Sequence, residues 1–301
     1  MAFRALAHIV CLFILFCTSP LVASARMVTD ATGEKITLPD RPLRVVSLAP
    51  SLTEIVFSLE KESSLKGVTR YSDFPEEARA LPKVGSYIKP ELERIVRLKP
   101  DLCLAVLDGN PPKVLQRLKR FGIPVFIVNP NGIDAILRSI NQVGEALDAQ
   151  EKALKITSKM QRRLDTIDKA VSQAAHRPKL FFQIGISPIV SVGKGTFLDE
   201  MIRRAGGDNV VTSKTPYPRY STEQVLTLAP EMIIITSMAR DDIFDAVRRK
   251  WESWPTLPAV KNSAVHLVNS DILDRPTPRV VDGLLMLARL IQPQLIESTQ
   301  L

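Results

Sequence analysis

The sequence predicts two α/β lobes with mainly parallel sheets, joined by one long α-helix. Three observations carry this expectation. Short β-branched runs alternate with longer segments of helical period, the pattern of strands crossing over through helices. The same alternation restarts after Pro178. Between the halves, residues 133–175 contain no proline and keep apolar side chains at helical spacing, at Ile136, Ile140, Val143, Leu147, Leu154, Met160, Leu164, Ile167 and Val171. Each lobe is therefore expected to be Rossmann-like.

The first 25 residues read as an export signal. Arg4 precedes an apolar run at 9–16, Thr18, Ser19 and Pro20 break it, and Ala23-Ser24-Ala25 offers small residues for cleavage after Ala25. The run is too short for a membrane-spanning helix, which needs about twenty residues. Bulky Phe16 argues against lipid attachment at Cys17. Cleavage removes Cys11 and Cys17, leaving Cys103 without a disulfide partner, as a buried structural residue. A first lobe is assigned to 26–148, with strands at 44–48, 101–106 and 125–128 and a helix at 52–59. The connecting helix is assigned to 149–177. Its helical core, 149–175, would span about 40 Å at 1.5 Å per residue. The alternative is several shorter helices, with a break at Gly144 or near Asp148. The second lobe, 178–301, carries strands at 179–184, 232–236 and 265–268 and helices at 196–205 and 281–291.

One segment occurs twice. Leu92-Glu93-Arg94-Ile95-Val96-Arg97-Leu98-Lys99-Pro100-Asp101 parallels Thr222-Glu223-Gln224-Val225-Leu226-Thr227-Leu228-Ala229-Pro230-Glu231. In each, a glutamate opens an amphipathic turn, a proline stops it, and an acidic residue introduces an apolar strand. A carboxylate in a first helical turn is favoured by the helix dipole, by about 0.3–1 kcal/mol, which accounts for both glutamates without any partner. Their equivalent places in two lobes also suit docking on a two-fold symmetric partner.

Composition narrows the function. With 45% hydrophobic and 24% charged residues, the 301-residue chain is globular rather than disordered, collagenous or coiled-coil. Its net charge of +8 is spread without a Lys/Arg block or a basic stripe with interleaved aromatics, so no nucleic-acid partner is expected. Beyond residue 25 there are two histidines, His176 and His266, too few for a recognisable metal cluster or catalytic triad. Gly193-Lys194-Gly195-Thr196 resembles a phosphate loop but has Ile189 where the earlier glycine belongs, so it reads as a helix-capping turn. Gly185-Ile186-Ser187-Pro188-Ile189 begins like a nucleophile elbow and lacks the final glycine. Ser58-Leu59-Glu60-Lys61 has the S-x-x-K spacing without its companion motifs.

All four tyrosines, Tyr71, Tyr87, Tyr217 and Tyr220, fall in loop-like stretches divided between the lobes. Ligands of open α/β sheets gather beyond the strand ends, where an aromatic side chain offers an apolar face and a polar tip. Asp271 and Arg275, after the last strand, could present an acceptor and a fork of donors to a ligand, or form an internal salt bridge that shapes their loop.

The string Arg44-Val45-Val46-Ser47-Leu48-Ala49-Pro50-Ser51-Leu52-Thr53-Glu54, then Tyr71-Ser72-Asp73-Phe74-Pro75, the segment 92–101 and Ser221-Thr222-Glu223-Gln224-Val225 together resemble the iron-siderophore, haem and cobalamin binding-protein family of ABC importers. The likeness runs from about residue 44 to 292 and is strongest to the cobalamin branch. It implies a soluble, monomeric periplasmic protein that holds a corrinoid between its lobes and delivers it to an inner-membrane ABC permease. The ligand carries its own cobalt; no cofactor, metal site or catalytic residue is implied. By motif position, Tyr71, Tyr87, Phe182, Ile184, Tyr217, Asp271 and Arg275 would line the cleft, and Glu93 and Glu223 would engage arginines of the permease. Tyr87, Tyr217 and Val106 stand where the cobalamin branch has tryptophans. Haem or a ferric siderophore is the alternative ligand. An exported α/β hydrolase using Ser187, or a scaffold domain acting through its surface alone, is the alternative of another class.

Overall fold

A computed structural model of the chain describes residues 25–237, 242–273 and 275–297; the side chains of 237, 242–244 and 271 are also outside it. The assigned export signal, with Cys11 and Cys17, lies outside the described residues apart from Ala25. Strands β1 (Ala25–Thr29) and β2 (Lys35–Pro39) form an antiparallel hairpin that the sequence reading did not anticipate. Asp30 closes its turn by accepting from the Thr32 and Glu34 amides, and the Ala31 amide reaches the Ile127 carbonyl of the first sheet.

The first lobe runs β3 (Val45–Ser47), α1 (Pro50–Ser58), β4 (Leu65–Gly67), α2 (Leu92–Arg97), β5 (Leu102–Val106), α3 (Pro112–Arg120), β6 (Val125–Val128) and α4 (Ile133–Ala146). Its four strands are parallel, in the order β4-β3-β5-β6. Proline at the start of α1 and α3 costs no helical bond, because the first amides of a helix have no intrahelical partner. Cys103 is fully buried in β5; burial and then the Asp101 charge push its thiol well above the usual range.

The connecting helix, α5, spans Gln150–Val171, 22 residues or about 33 Å. It is shorter than the expected 149–175. Residues 173 and 174 already bond three rather than four positions back, so the last turn tightens and leaves the helix axis. A break does separate α4 from α5, where Asp148 takes a left-handed conformation (φ 54°). Beside it Gly144 lets the helices touch, since a Cβ there would fall 2.5 Å from the Ala153 Cβ. Ala153, Thr157, Met160, Leu164, Ile167 and Val171 form the buried stripe of α5. Its opening turn is tied to the first lobe by Lys152–Glu60, and its later turns to the second by Arg163–Asp282 and Arg204–Asp168.

The second lobe follows as β7 (Lys179–Gly185), β8 (Ile189–Ser191), α6 (Phe197–Arg204), β9 (Asp208–Asn209), β10 (Arg219–Tyr220), α7 (Thr222–Leu228), β11 (Met232–Ser237), α8 (Asp242–Glu252), α9 (Pro258–Lys261), β12 (Val265–Asn269), α10 (Ser270–Leu273), α11 (Val280–Ile291) and α12 (Pro293–Glu297). Strands β7, β9, β11 and β12 are parallel, while β8 and β10 extend the sheet antiparallel in the order β10-β8-β7-β11-β12. As the sequence predicts, Gly193–Thr196 is a capping turn: the Thr196 hydroxyl accepts from the Asp199 amide and donates to the Gly193 carbonyl. The placement of Tyr220 in a loop is corrected: it sits in β10 and packs edge-to-face on Phe181, centroids 5.6 Å apart. Burial pushes its phenol upward from the ordinary value.

Three apolar clusters account for the layers. One covers the outer face of the first sheet and another the outer face of the second. The third takes side chains from both lobes, including Leu52, Ile136, Met160, Phe182 and Leu284, so the lobes share a continuous core along α4, α5 and α11. Buried on both faces, the strands read as apolar runs rather than as alternation.

Candidate functional site

The parallel strands of both sheets end at loops that meet across the lobes. After β3 the chain turns into α1, whose Glu54 side chain is 2% exposed. A carboxylate that deeply buried requires charged partners, and the second lobe supplies them. Arg279 donates from Nε to Oε2 and from Nη2 to Oε1, both at 2.8 Å, in a two-pronged pair. Arg275 donates from Nη1 to Glu54 Oε1 at 3.3 Å and to Asp73 Oδ1 at 3.1 Å. The Arg279 guanidinium also lies 3.7 Å from the centroid of the Phe74 ring. Sequence reasoning missed Glu54, Asp73 and Arg279; for Arg275 it weighed a ligand contact against a salt bridge to Asp271 within its own loop, whereas its bonds to Glu54 and Asp73 run between the lobes.

On the first lobe, buried hydroxyls hold the 69–74 loop against α1. Thr53 Oγ1 donates to Ser47 Oγ or Ser72 Oγ, at 2.9 and 3.0 Å, and Ser72 also meets Thr69 at 2.8 Å. Lys83 donates to the Ser72 and Ala78 carbonyls, and desolvation lowers its pKa despite the nearby Asp73 charge. Tyr71 projects from this loop, 49% exposed. Tyr87 projects from the next one, where the Ser86 and Lys89 backbones bond to each other in a tight turn. On the second lobe Ile184 lies near the end of β7, partly buried against the shared core. Buried Gln183 bends that end by donating to the Gly185 carbonyl and accepting from Trp251 Nε1. Asp271 opens the α10 turn just after β12; its side chain lies outside the described residues.

Two expected ligand residues stand elsewhere. Phe182 is fully buried in the shared core as the register partner of Ile234, because this sheet is covered on both faces; its side chain has no surface to offer. Tyr217 precedes β10 on the antiparallel edge, between Pro216 and Pro218, whose carbonyls accept from Gly193 and Ser191. It is exposed and set back from the carboxyl ends of the parallel strands. A groove of about 420 Å³ beside the bridge is lined by Phe57, Phe74 and Pro75 with Glu54, Glu60, Glu62 and Glu77, and holds none of the expected ligand residues.

Glu93 and Glu223 occupy the same place, the second residue of α2 and of α7, and both are exposed. The repeat continues through the backbone. Lys99 and Ala229 both turn left-handed, with φ 47° and 46°. Asp101 then accepts from the Leu43 and Arg44 amides and Glu231 from the Lys179 amide, so each acid ties its unit to the start of the lobe's first strand. The Ser221 hydroxyl, then a backbone bond, hold the Glu223 carboxyl below its ordinary value.

Hydrolase chemistry finds little here. Ser187 is exposed in a turn, His266 is half-buried in β12 with its pKa lowered by desolvation, and His176 pairs with Glu231 at the amino ends of β7 and β11. No group of His, Cys, Asp and Glu that could hold a metal ion occurs among the described residues, and no helix among them is long and apolar enough to cross a membrane.

Comparison with known proteins supplies the family. Residues 45–271 match the family model described as periplasmic binding protein. The vitamin B12-binding protein of Vibrio parahaemolyticus is 34% identical over 252 residues, covering 83% of this chain and 90% of that one. The crystal structure of the periplasmic vitamin B12 binding protein of Vibrio cholerae superposes with a TM-score of 0.77 at 30% identity, over 84% of this chain and 97% of that one. A periplasmic heme binding protein from Pseudomonas aeruginosa superposes with a TM-score of 0.75 at 26% identity, over 84% and 94%. Two parallel-stranded lobes facing each other by their carboxyl ends, the repeated helix–proline–acid unit and these matches have one explanation: the chain belongs to the periplasmic binding protein family.

Proposed function

We propose that this protein binds a corrinoid between its lobes and delivers it to an ABC permease, working in the periplasm after removal of residues 1–25. The observation that carries the reading is the identity to vitamin B12-binding proteins across 83% of the chain, through both lobes and the helix between them. The site geometry supports it. Tyr71, Tyr87, Ile184 and Arg275 stand at or near the carboxyl ends of the two sheets, where ligands of α/β folds collect. Aromatic and aliphatic surface would supply most of the binding, with a few polar groups fixing orientation. Tyr217 would take part only from the side, at the antiparallel edge. No resident cofactor and no catalytic step are required, since the corrinoid brings its own metal.

Haem is the second reading, favoured by the near-equal superposition on the heme binding protein. His176 and His266 both lie away from the carboxyl ends of their sheet, so a haem in the cleft would take its iron ligand from a tyrosine rather than a histidine.

Glu93 and Glu223 are proposed to dock the permease, since two carboxylates at matching places in two lobes suit a two-fold symmetric partner. The test is calorimetric titration of the purified chain with cobalamin, cobinamide, haem and a ferric siderophore panel. Saturable heat with the corrinoids alone is expected; binding confined to haem or a siderophore would overturn the assignment. In a transport assay, Glu93→Lys with Glu223→Lys should leave cobalamin affinity unchanged and abolish uptake.

A further inference from the structure

Asn110 lies just beyond the end of β5 and is 2% exposed, yet no catalytic or ligand role falls to it. All its hydrogen-bonding groups point at backbone. Its Oδ1 accepts from the Val106 amide at 2.8 Å, and its Nδ2 donates to the Leu48 carbonyl at 2.9 Å and to the Tyr87 carbonyl at 2.8 Å. The amide has one orientation that satisfies all three partners; rotating it by half a turn would face donor to donor and acceptor to acceptor. One side chain thus joins the carboxyl ends of the neighbouring strands β3 and β5 to the turn that carries Tyr87.

The residue before it completes the arrangement. Gly109 has φ 121°, a conformation closed to L side chains, and a Cβ built there would fall 2.7 Å from Tyr87 Cε2 and 2.8 Å from Cδ2. The Tyr87 ring therefore rests directly on the Gly109 backbone. Asn110 fixes the ring's own peptide, Gly109 forms the seat beneath it, and Tyr87 remains 37% exposed.

We propose that Asn110, with Gly109, is a positioning residue that pre-orders the Tyr87 ring for contact with the face of a large ring-shaped ligand. The proposal rests on the corrinoid reading and names how one wall of that site is built. An aromatic contact held in place before the ligand arrives loses less entropy on binding, so its contribution to affinity survives intact. The bonds within the 86–89 turn shape that turn; the Asn110 bond connects it at Tyr87 to the sheet.

The experiment compares cobalamin affinity and thermal stability of the wild type, Asn110→Ala, Tyr87→Ala and the double variant. Asn110→Ala should weaken cobalamin about tenfold, since the Tyr87 and Leu48 carbonyls lose their donor and the ring loses its place. In the Tyr87→Ala background it should weaken binding no further, while lowering the melting temperature by the same amount in both backgrounds. An equal loss of affinity in both backgrounds would make Asn110 merely structural and overturn the proposal. Asn110→Ser, whose shorter neutral hydroxyl cannot span the three backbone groups and places no charge in the buried site, guards against failure of the alanine variant to fold and should show the same pattern. A readout without ligand separates this proposal from the functional one: amide hydrogen exchange over residues 85–91 should rise several-fold in Asn110→Ser. Unchanged exchange would overturn the positioning role. Raised exchange in a chain whose wild type gives no heat with cobalamin would sink the corrinoid reading and leave the placement of Tyr87 standing.

Discussion

The outer corners of the two lobes are built alike, and their cleft edges are not. At the corners, 92–101 and 222–231 repeat a short helix, a left-handed residue, a proline and an acid that accepts from the amide chain leading into the lobe's first strand. Exposure agrees residue by residue from 93 to 100 and from 223 to 230. At the cleft edges the first lobe contributes a buried glutamate and exposed tyrosines on tethered loops, whereas the second contributes the arginines. The difference follows from what each surface meets under the proposed function. A partner with two-fold symmetry is matched by presenting the same group twice, while a guest without that symmetry is gripped by walls of different chemistry.

The cleft side of this comparison carries the largest expected effect. Glu54→Gln keeps the shape of the side chain but leaves Arg275 and Arg279 beside a neutral amide, and removing one member of a buried pair costs about 3 kcal/mol. Urea unfolding should show that loss as a lower midpoint at unchanged slope, and small-angle scattering should show the lobes further apart. A loss well under about 1 kcal/mol would mean that Asp73 suffices to hold Arg275 and that Glu54 is not the keystone of the interlobe contact.

At the corners, the copies differ in how their helices begin. Ser221 forms a capping box with Gln224, each side chain bonding the other's amide. Glu91, at the equivalent position before α2, makes no side-chain cap and instead pairs with Arg94 at 2.7 Å. Ser221→Ala should therefore cost about 1 kcal/mol, and Glu91→Ala less than about 0.5 kcal/mol, because an exposed ion pair contributes little. Thermal melts check the ranking, and equal losses would erase the asymmetry. NMR titration should also find the Glu223 carboxyl moved up towards its ordinary value in Ser221→Ala, since the Ser221 hydroxyl is the first cause of its depression.

Much of this was legible in sequence because it is local. Residues 125–128 form the predicted strand with the predicted bounds, and the repeat is visible because proline and an acid recur at fixed offsets. Short edges escaped: β8 and β10 have three and two residues, too few for any period to show. The interlobe bridge escaped for another reason. Glu54 lies 221 residues from Arg275 and 225 from Arg279, and no local pattern links residues whose pairing depends on how two sheets face each other. Phe182 shows the limit of reading a site from a motif. Phe181 and Phe182 both vanish into cores, one on each face of a sheet covered twice, so position near a cleft segment did not bring exposure.

The smallest effect asks whether the acids that close the two repeats act by charge. Glu231 Oε2 accepts from the Lys179 amide at 2.8 Å, and Oε1 lies 3.2 Å from His176 Nε2. The backbone bond from Lys179, followed by the His176 charge, holds its carboxyl below the ordinary 4.5. A carboxyl depressed in the folded state stabilises fully above its unfolded value, and that contribution is lost as pH falls through the lower folded value. With the side chain 31% exposed, solvent screening keeps the contribution under about 1 kcal/mol. Glu231→Gln should therefore melt slightly earlier than wild type at pH 7, and the two melting curves should converge as pH falls below the unfolded value and through the lower folded one, where the wild-type carboxyl takes up its proton. If the gap instead stays constant across that range, Glu231 works by its length and packing, and only the backbone geometry of the two corners, not their electrostatics, is shared.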